Sequence, residues 1–154
     1  MLDKLMEGIC LMLLVCLWVG VIAGYSNLPE EIPIHFNAAG KADGYGNKGK
    51  IFLLPAVASF IYLGMTLLNQ YPHLFNFPAE INQNNARGMY RSATKLLRVL
   101  KFVVVLIFSY TVAITFRSAS PQNADLGYWF LIFCIVFTVV PTIMFLFRKN
   151  TKAA

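Results

Sequence analysis

The chain reads as an all-α membrane protein of four transmembrane helices, and three observations point there. Its 154 residues are 58% hydrophobic and only 13% charged, about half the charged share of a soluble domain. Mean hydropathy is +0.62. Four long apolar runs are separated by three more polar connections, of which the last, Arg117–Asp125, is short, within a length that fits one domain. A span of the hydrocarbon core takes about 20 apolar residues. The runs lie at about 5–25, 51–68, 96–116 and 126–147, and the whole of 1–154 reads as a single integral membrane domain.

The first run carries no charge after Glu7. Asp3 and Glu7 beside Lys4 make its head poorly positive, so it reads as a retained span rather than a signal peptide. The second run starts with Pro55 in its first turn, where a missing N–H costs little. The third reaches spanning length only if Leu96–Lys101 enters the interface, with Arg98 and Lys101 snorkelling to headgroups. The fourth contains Pro141, which should kink it. Cys10, Cys16 and Cys134 all lie inside apolar runs and read as small hydrophobes without disulfide chemistry.

The connection from Tyr25 to Pro55 is far from a generic linker. It holds three prolines, four glycines between Gly40 and Gly49, His35, and aromatics set among polar residues. Leu28-Pro29 and Ile32-Pro33 keep the backbone extended. Pro33-Ile34-His35-Phe36-Asn37 alternates apolar and polar, as a short extended segment does. Asn37–Gly49 is rich in turn formers.

The connection from Asn69 to Lys101 has two parts. An aromatic, proline-bounded stretch, Tyr71–Pro78, contains His73 and Asn76 and suits the membrane interface. Asn84–Lys101 then has helical periodicity. At 100° per residue, Arg87, Arg91, Lys95, Arg98 and Lys101 share one face; Ala86, Met89, Tyr90, Ala93, Leu96, Leu97 and Leu100 share the other. This amphipathic segment should merge with the third span. The basic face can set topology, grip anionic lipid or dock a cytoplasmic protein.

Lys and Arg distribution sets orientation. With the N-terminus inside, nine basic residues (Lys4, Arg87, Arg91, Lys95, Arg98, Lys101, Arg148, Lys149 and Lys152) lie on the inner side. Four (Lys41, Lys48, Lys50 and Arg117) lie outside. Both termini are expected in the cytoplasm, with the Tyr25–Lys50 loop outside. The net charge of +6 reflects this juxtamembrane asymmetry and not a nucleic-acid partner.

Catalytic and cofactor signals are weak. The outer loop offers a single histidine, short of a zinc ligand set. Asp43-Gly-Tyr-Gly-Asn47 lacks the glycine and acidic residue at the sixth and twelfth positions of a calcium loop. No hydroxyl has a histidine at helical spacing, and Gly44-Tyr-Gly46 alone makes no phosphate cradle. No enzyme activity, metal or cofactor is expected. No ionisable residue is expected deep in a span, which disfavours ion-coupled transport.

LPEEIPIHFNAAGKADGYGNKGKIFLLP resembles the signature of a bacterial membrane domain of unknown function found at the N-terminus of SdpI-like immunity proteins. The matching residues are Leu28-Pro29, Ile32-Pro33, His35-Phe36-Asn37, Gly40, Asp43-Gly44, Gly46, Lys48 and Leu54-Pro55. The inner stretch, with Pro72-His73 and Phe75-Asn76, is similar to that of short members. The resemblance implies a protein of the bacterial cytoplasmic membrane that protects against a secreted, membrane-active peptide toxin, or reports it to a cytoplasmic regulator. The longer immunity proteins add a second block of helices. On this expectation Pro33, His35, Phe36, Asn37, Gly40, Asp43, Gly44, Gly46 and Lys48 form the functional loop. His73, Asn76, Arg87, Arg91 and Lys95 form a cytoplasmic surface. Two alternatives are a structural or assembly subunit of a membrane complex or exporter, and a small membrane enzyme using His35 and Asp43 as acid and base.

Overall fold

The computed structural model describes residues 2–77, 80–117 and 125–147. Four α-helices run in the order α1 (Leu2–Gly24), α2 (Leu53–Leu68), α3 (Ala86–Arg117) and α4 (Tyr128–Leu146). Among the described residues, these four are long and apolar enough to cross a membrane, α2 together with the turn before it. The chain is an all-α membrane protein. Pro78, the 118–124 connection and the basic residues Arg148, Lys149 and Lys152 lie outside the described residues.

The amphipathic segment and the third span form one helix, as the periodicity predicts. α3 runs 32 residues without a break. Its start is set by asparagines: the Asn82 side chain accepts from the Asn84 and Asn85 N–H groups, and Ala86 N–H donates to Asn82 O. These satisfy donors that a helix start leaves open. α4 stays helical through Pro141.

The core is a seam of α1 against α2 and α3. Cys10, Leu14, Leu17 and Val21 recur every three or four residues, so they stack on one face of α1. They pack with Ala58, Val105 and Val112. Cys16 faces outward, as six-residue spacing from Cys10 requires. One polar tie joins α1 to α2: Trp18 Nε1–H donates to Ser59 Oγ at 2.9 Å, and Ser59 donates to Pro55 O. α4 packs against α3, and none of its residues is fully buried.

The connection between α1 and α2 adds one feature to the helical frame. β1 (Glu31–Phe36) and β2 (Ala42–Asn47) pair as an antiparallel hairpin. Pro33 to Phe36 was legible as extended; β2 falls where only turns were expected. Leu28, Ile32 and Ile51 are buried beneath the hairpin and belong to the same core as α1. The hairpin is therefore a seated part of the fold.

The expectation for Lys101 is overturned. It does not snorkel. It lies midway along α3 and is 2% exposed. Its ammonium donates to Glu7 Oε2 at 2.5 Å and to Thr66 Oγ1 at 2.9 Å, and it sits 4.5 Å from the centre of the Tyr62 ring. Arg98 is held too, by Asp3 at 3.3 Å and Glu7 at 3.5 Å. The reason is a partner that the local pattern does not reveal. α1 presents two carboxylates one turn apart at this level, and neutralising a cation inside the bundle competes with extending it to water. An ionisable pair does enter the bundle, so the premise used against ion-coupled transport falls.

Candidate functional site

The nine residues of the α1–α2 connection come together in and beside the hairpin, and the structure divides them into scaffold and surface. Asn37 opens the tip. Its Oδ1 accepts from the Ala39 and Lys41 N–H groups at 2.9 and 3.1 Å, a side-chain turn that asparagine favours. Gly40 completes the reversal with φ +82°, a backbone region costly to other residues. A Cβ at Gly40 would also stand 3.0 Å from the Gly127 backbone nitrogen.

That close approach is a docking contact. Leu126 N–H donates to Gly40 O at 2.8 Å, and Lys41 bridges to Asp125. Tyr110 of α3 donates its hydroxyl to Leu126 O at 3.0 Å. The hairpin tip is thus stitched to Asp125–Gly127 at the entry of α4. An aromatic-lined groove of about 470 Å³ opens beside this seam, between α3 and α4, with Tyr110, Gly127, Trp129, Phe130 and Phe133 in its walls.

The hairpin base is fixed by Lys48. Its N–H donates to Glu30 O, its ammonium pairs with Glu30 Oε1 at 2.9 Å, and it lies 5.4 Å from the centre of the Tyr25 ring. Tyr25 in turn packs on Phe52. Asn47 caps the following short helical turn by accepting from Gly49 N–H. Pro33 is buried and Phe36 half-buried. Lys48, Asn37, Gly40 and Pro33 therefore hold the hairpin's shape.

The surface is carried by His35 and Asp43. They meet across the strands, Nδ1 to Oδ1 at 2.5 Å, with 71% and 42% of their side chains exposed. Gly44 pairs with His35 in register, and a Cβ there would meet His35 Cβ at 3.0 Å. The glycine thus lets the strands close while the imidazole stays outward. Tyr45 and Ile34 are also exposed. The hairpin surface thus carries an imidazole–carboxylate pair, a phenol and an aliphatic side chain, suited to polar and apolar contact with another chain. Among the described residues, no three of His, Cys, Asp and Glu converge as a metal site.

The second predicted surface lies at the opposite end of the bundle. His73 sits in a short 3-10 turn (Pro72–Leu74) against Tyr71, and Asn76 follows in irregular chain. Arg87, Arg91 and Lys95 are exposed on the first turns of α3. Phe77 anchors the segment to Tyr90 and Phe145. The five residues share an end of the molecule, and among the described residues no hydrogen bond or ion pair joins one of them to another.

Glu7, Lys101, Thr66 and Tyr62 were missed as a group. The available signal was two charges bordering apolar runs, and a Tyr and a Thr four apart on α2.

A family model described as a domain of unknown function (DUF1648) matches residues 11–58. That stretch covers most of α1, the entire hairpin and the first turns of α2. An uncharacterized protein of Archaeoglobus fulgidus is 39% identical over 71 residues, covering 41% of this chain and 39% of the relative's length. This chain thus spans well under half of that relative. No solved structure matches it.

Proposed function

We propose that the chain is an SdpI-like immunity or receptor protein of the bacterial cytoplasmic membrane, and that its hairpin engages a secreted, membrane-active peptide. The observation that carries this reading is the outward His35–Asp43 pair on a hairpin fixed at both base and tip. Fixing a loop in its binding shape lowers the entropy lost on association. The aromatic groove beside the tip supports the reading, because a membrane-active peptide brings apolar side chains as well as polar ones. The excess of Lys and Arg at the opposite end supports cytoplasmic termini. The role is recognition and neutralisation without turnover, and a cytoplasmic regulator would read the peptide-bound state from the Arg87–Lys95 end.

Protection tests it. A toxin-sensitive bacterium expressing the chain is exposed to Sdp-type peptide toxins while membrane depolarisation is followed. Delayed depolarisation supports the reading. Unchanged depolarisation at full membrane insertion refutes it and favours the alternative, a structural or assembly subunit, for which a stable co-purifying membrane partner is the sign.

A further inference from the structure

We infer that the cleft between the first half of α3 and the end of α4 is a binding site for one anionic phospholipid. The cleft has a volume of about 340 Å³. Ser92, Lys95, Leu96 and Val99 line it from α3, spaced so that they stand on one helix face. Met144 and Phe145 line it from α4, with Pro141 one turn deeper.

The lining is polarised. Ser92 and Lys95 lie toward the end of the bundle, and Leu96 and Val99 lie toward its middle. From residue 92 to 99 the helix rises about 10 Å, a large part of one leaflet's hydrocarbon depth. A phospholipid has the same polarity, with its phosphate at the end and an acyl chain running inward; the cleft takes the phosphate region and the upper part of one chain, the rest lying in the bilayer.

Charge selects the headgroup. Asp3 and Glu7 are taken by Arg98 and Lys101. Among the described residues, no carboxylate pairs with Arg87, Arg91 or Lys95. Lys95 opens on the cleft, and Arg91 stands one turn further out on the same side of α3. Uncompensated cations above an apolar cleft fit a phosphodiester headgroup that carries net negative charge. A zwitterionic lipid would bring its own cation against them. This inference is independent of the peptide-recognition reading and of which leaflet the end occupies.

The test is native mass spectrometry of the detergent-purified protein, incubated with equal amounts of dioleoyl phosphatidylglycerol and dioleoyl phosphatidylcholine. The protein should retain phosphatidylglycerol at least about fivefold over phosphatidylcholine, the factor expected from one juxtamembrane cation. Lys95→Glu should bring the ratio to parity or below. Met144→Trp, which fills the cleft, should reduce retention of both lipids. Arg117→Glu, at the other end of α3, should leave the ratio unchanged. Lys95→Ser serves in place of Lys95→Glu should that variant express poorly. Equal retention by the native chain overturns the proposal, as does an unchanged ratio in the Lys95 variants. Displacement of the lipid by soluble glycerophosphate would overturn the acyl half of it.

Discussion

Replacing Glu7 by Gln should destabilise the bundle more than replacing Lys101 by Met, although the two residues form one ion pair. At 2.5 Å and an effective dielectric constant near 20, the gross attraction is about 7 kcal/mol. Desolvation costs several kcal/mol per ion and cancels much of it. What remains decisive is the charge left behind. Glu7→Gln leaves the Lys101 ammonium 2% exposed with neutral partners in place of the carboxylate (the amide oxygen, the Thr66 hydroxyl and the Tyr62 ring), so its charge is uncompensated and the loss falls in the range of about 3–5 kcal/mol for a broken buried pair. Lys101→Met leaves Glu7, whose side chain is 31% exposed and still faces Arg98; its loss should be smaller, about 1–3 kcal/mol. The double variant Glu7→Leu/Lys101→Met leaves no stranded charge in the pair and should lie within about 1 kcal/mol of the native chain. Thermal unfolding in mild detergent reads these differences at about 2–4 °C per kcal/mol. Equal, small losses in both single variants, or a double variant as unstable as the sum of the singles, would refute the reasoning.

Gly40→Ala should cost about 1–2 kcal/mol from positive φ alone, and the close Gly127 backbone adds to it; limited proteolysis of the hairpin should accelerate. Ile32→Ala removes a side chain that is 1% exposed beneath the hairpin and should cost about 2–4 kcal/mol, seen as a lowered melting temperature. His35→Ala should change stability by under about 1 kcal/mol, because exposed ion pairs contribute little; it should insert normally and lose protection in the depolarisation assay. Trp18→Phe should cost about 1 kcal/mol for the lost hydrogen bond to Ser59, measured by the same thermal unfolding.

The spans were legible because bilayer thickness imposes a length and composition that local sequence displays. The continuity of α3 was legible from the 3.6-residue period of its basic and apolar faces. β1 was legible through Pro29 and Pro33. β2 was not, because Asp43, Gly44, Gly46 and Asn47 have poor strand propensity. Its strand state comes from pairing with β1, where Gly44 is the residue that leaves His35 room. The seating of the tip on Leu126 and Gly127 was invisible for a different reason. It is made largely by backbone atoms about 86 residues apart in sequence, and no side-chain pattern encodes it. Lys101 was misplaced for a similar reason: its carboxylate partner lies on another helix, 94 residues away. That Pro33 to Lys48 belong to one ordered connection was legible, while which of them hold the hairpin's shape and which face outward required the packing.

The most direct test of the central claim is site-specific photocrosslinking of a labelled Sdp-type toxin to chain in native membranes. The photoreactive residue replaces exposed Tyr45 on the hairpin, with Phe60, 80% exposed on α2, as the control position. Crosslinking at position 45 that far exceeds position 60, and that disappears in the His35→Ala background, is the predicted result. Equal crosslinking at both positions, or strong protection of cells with none at position 45, would contradict the hairpin as the recognising element.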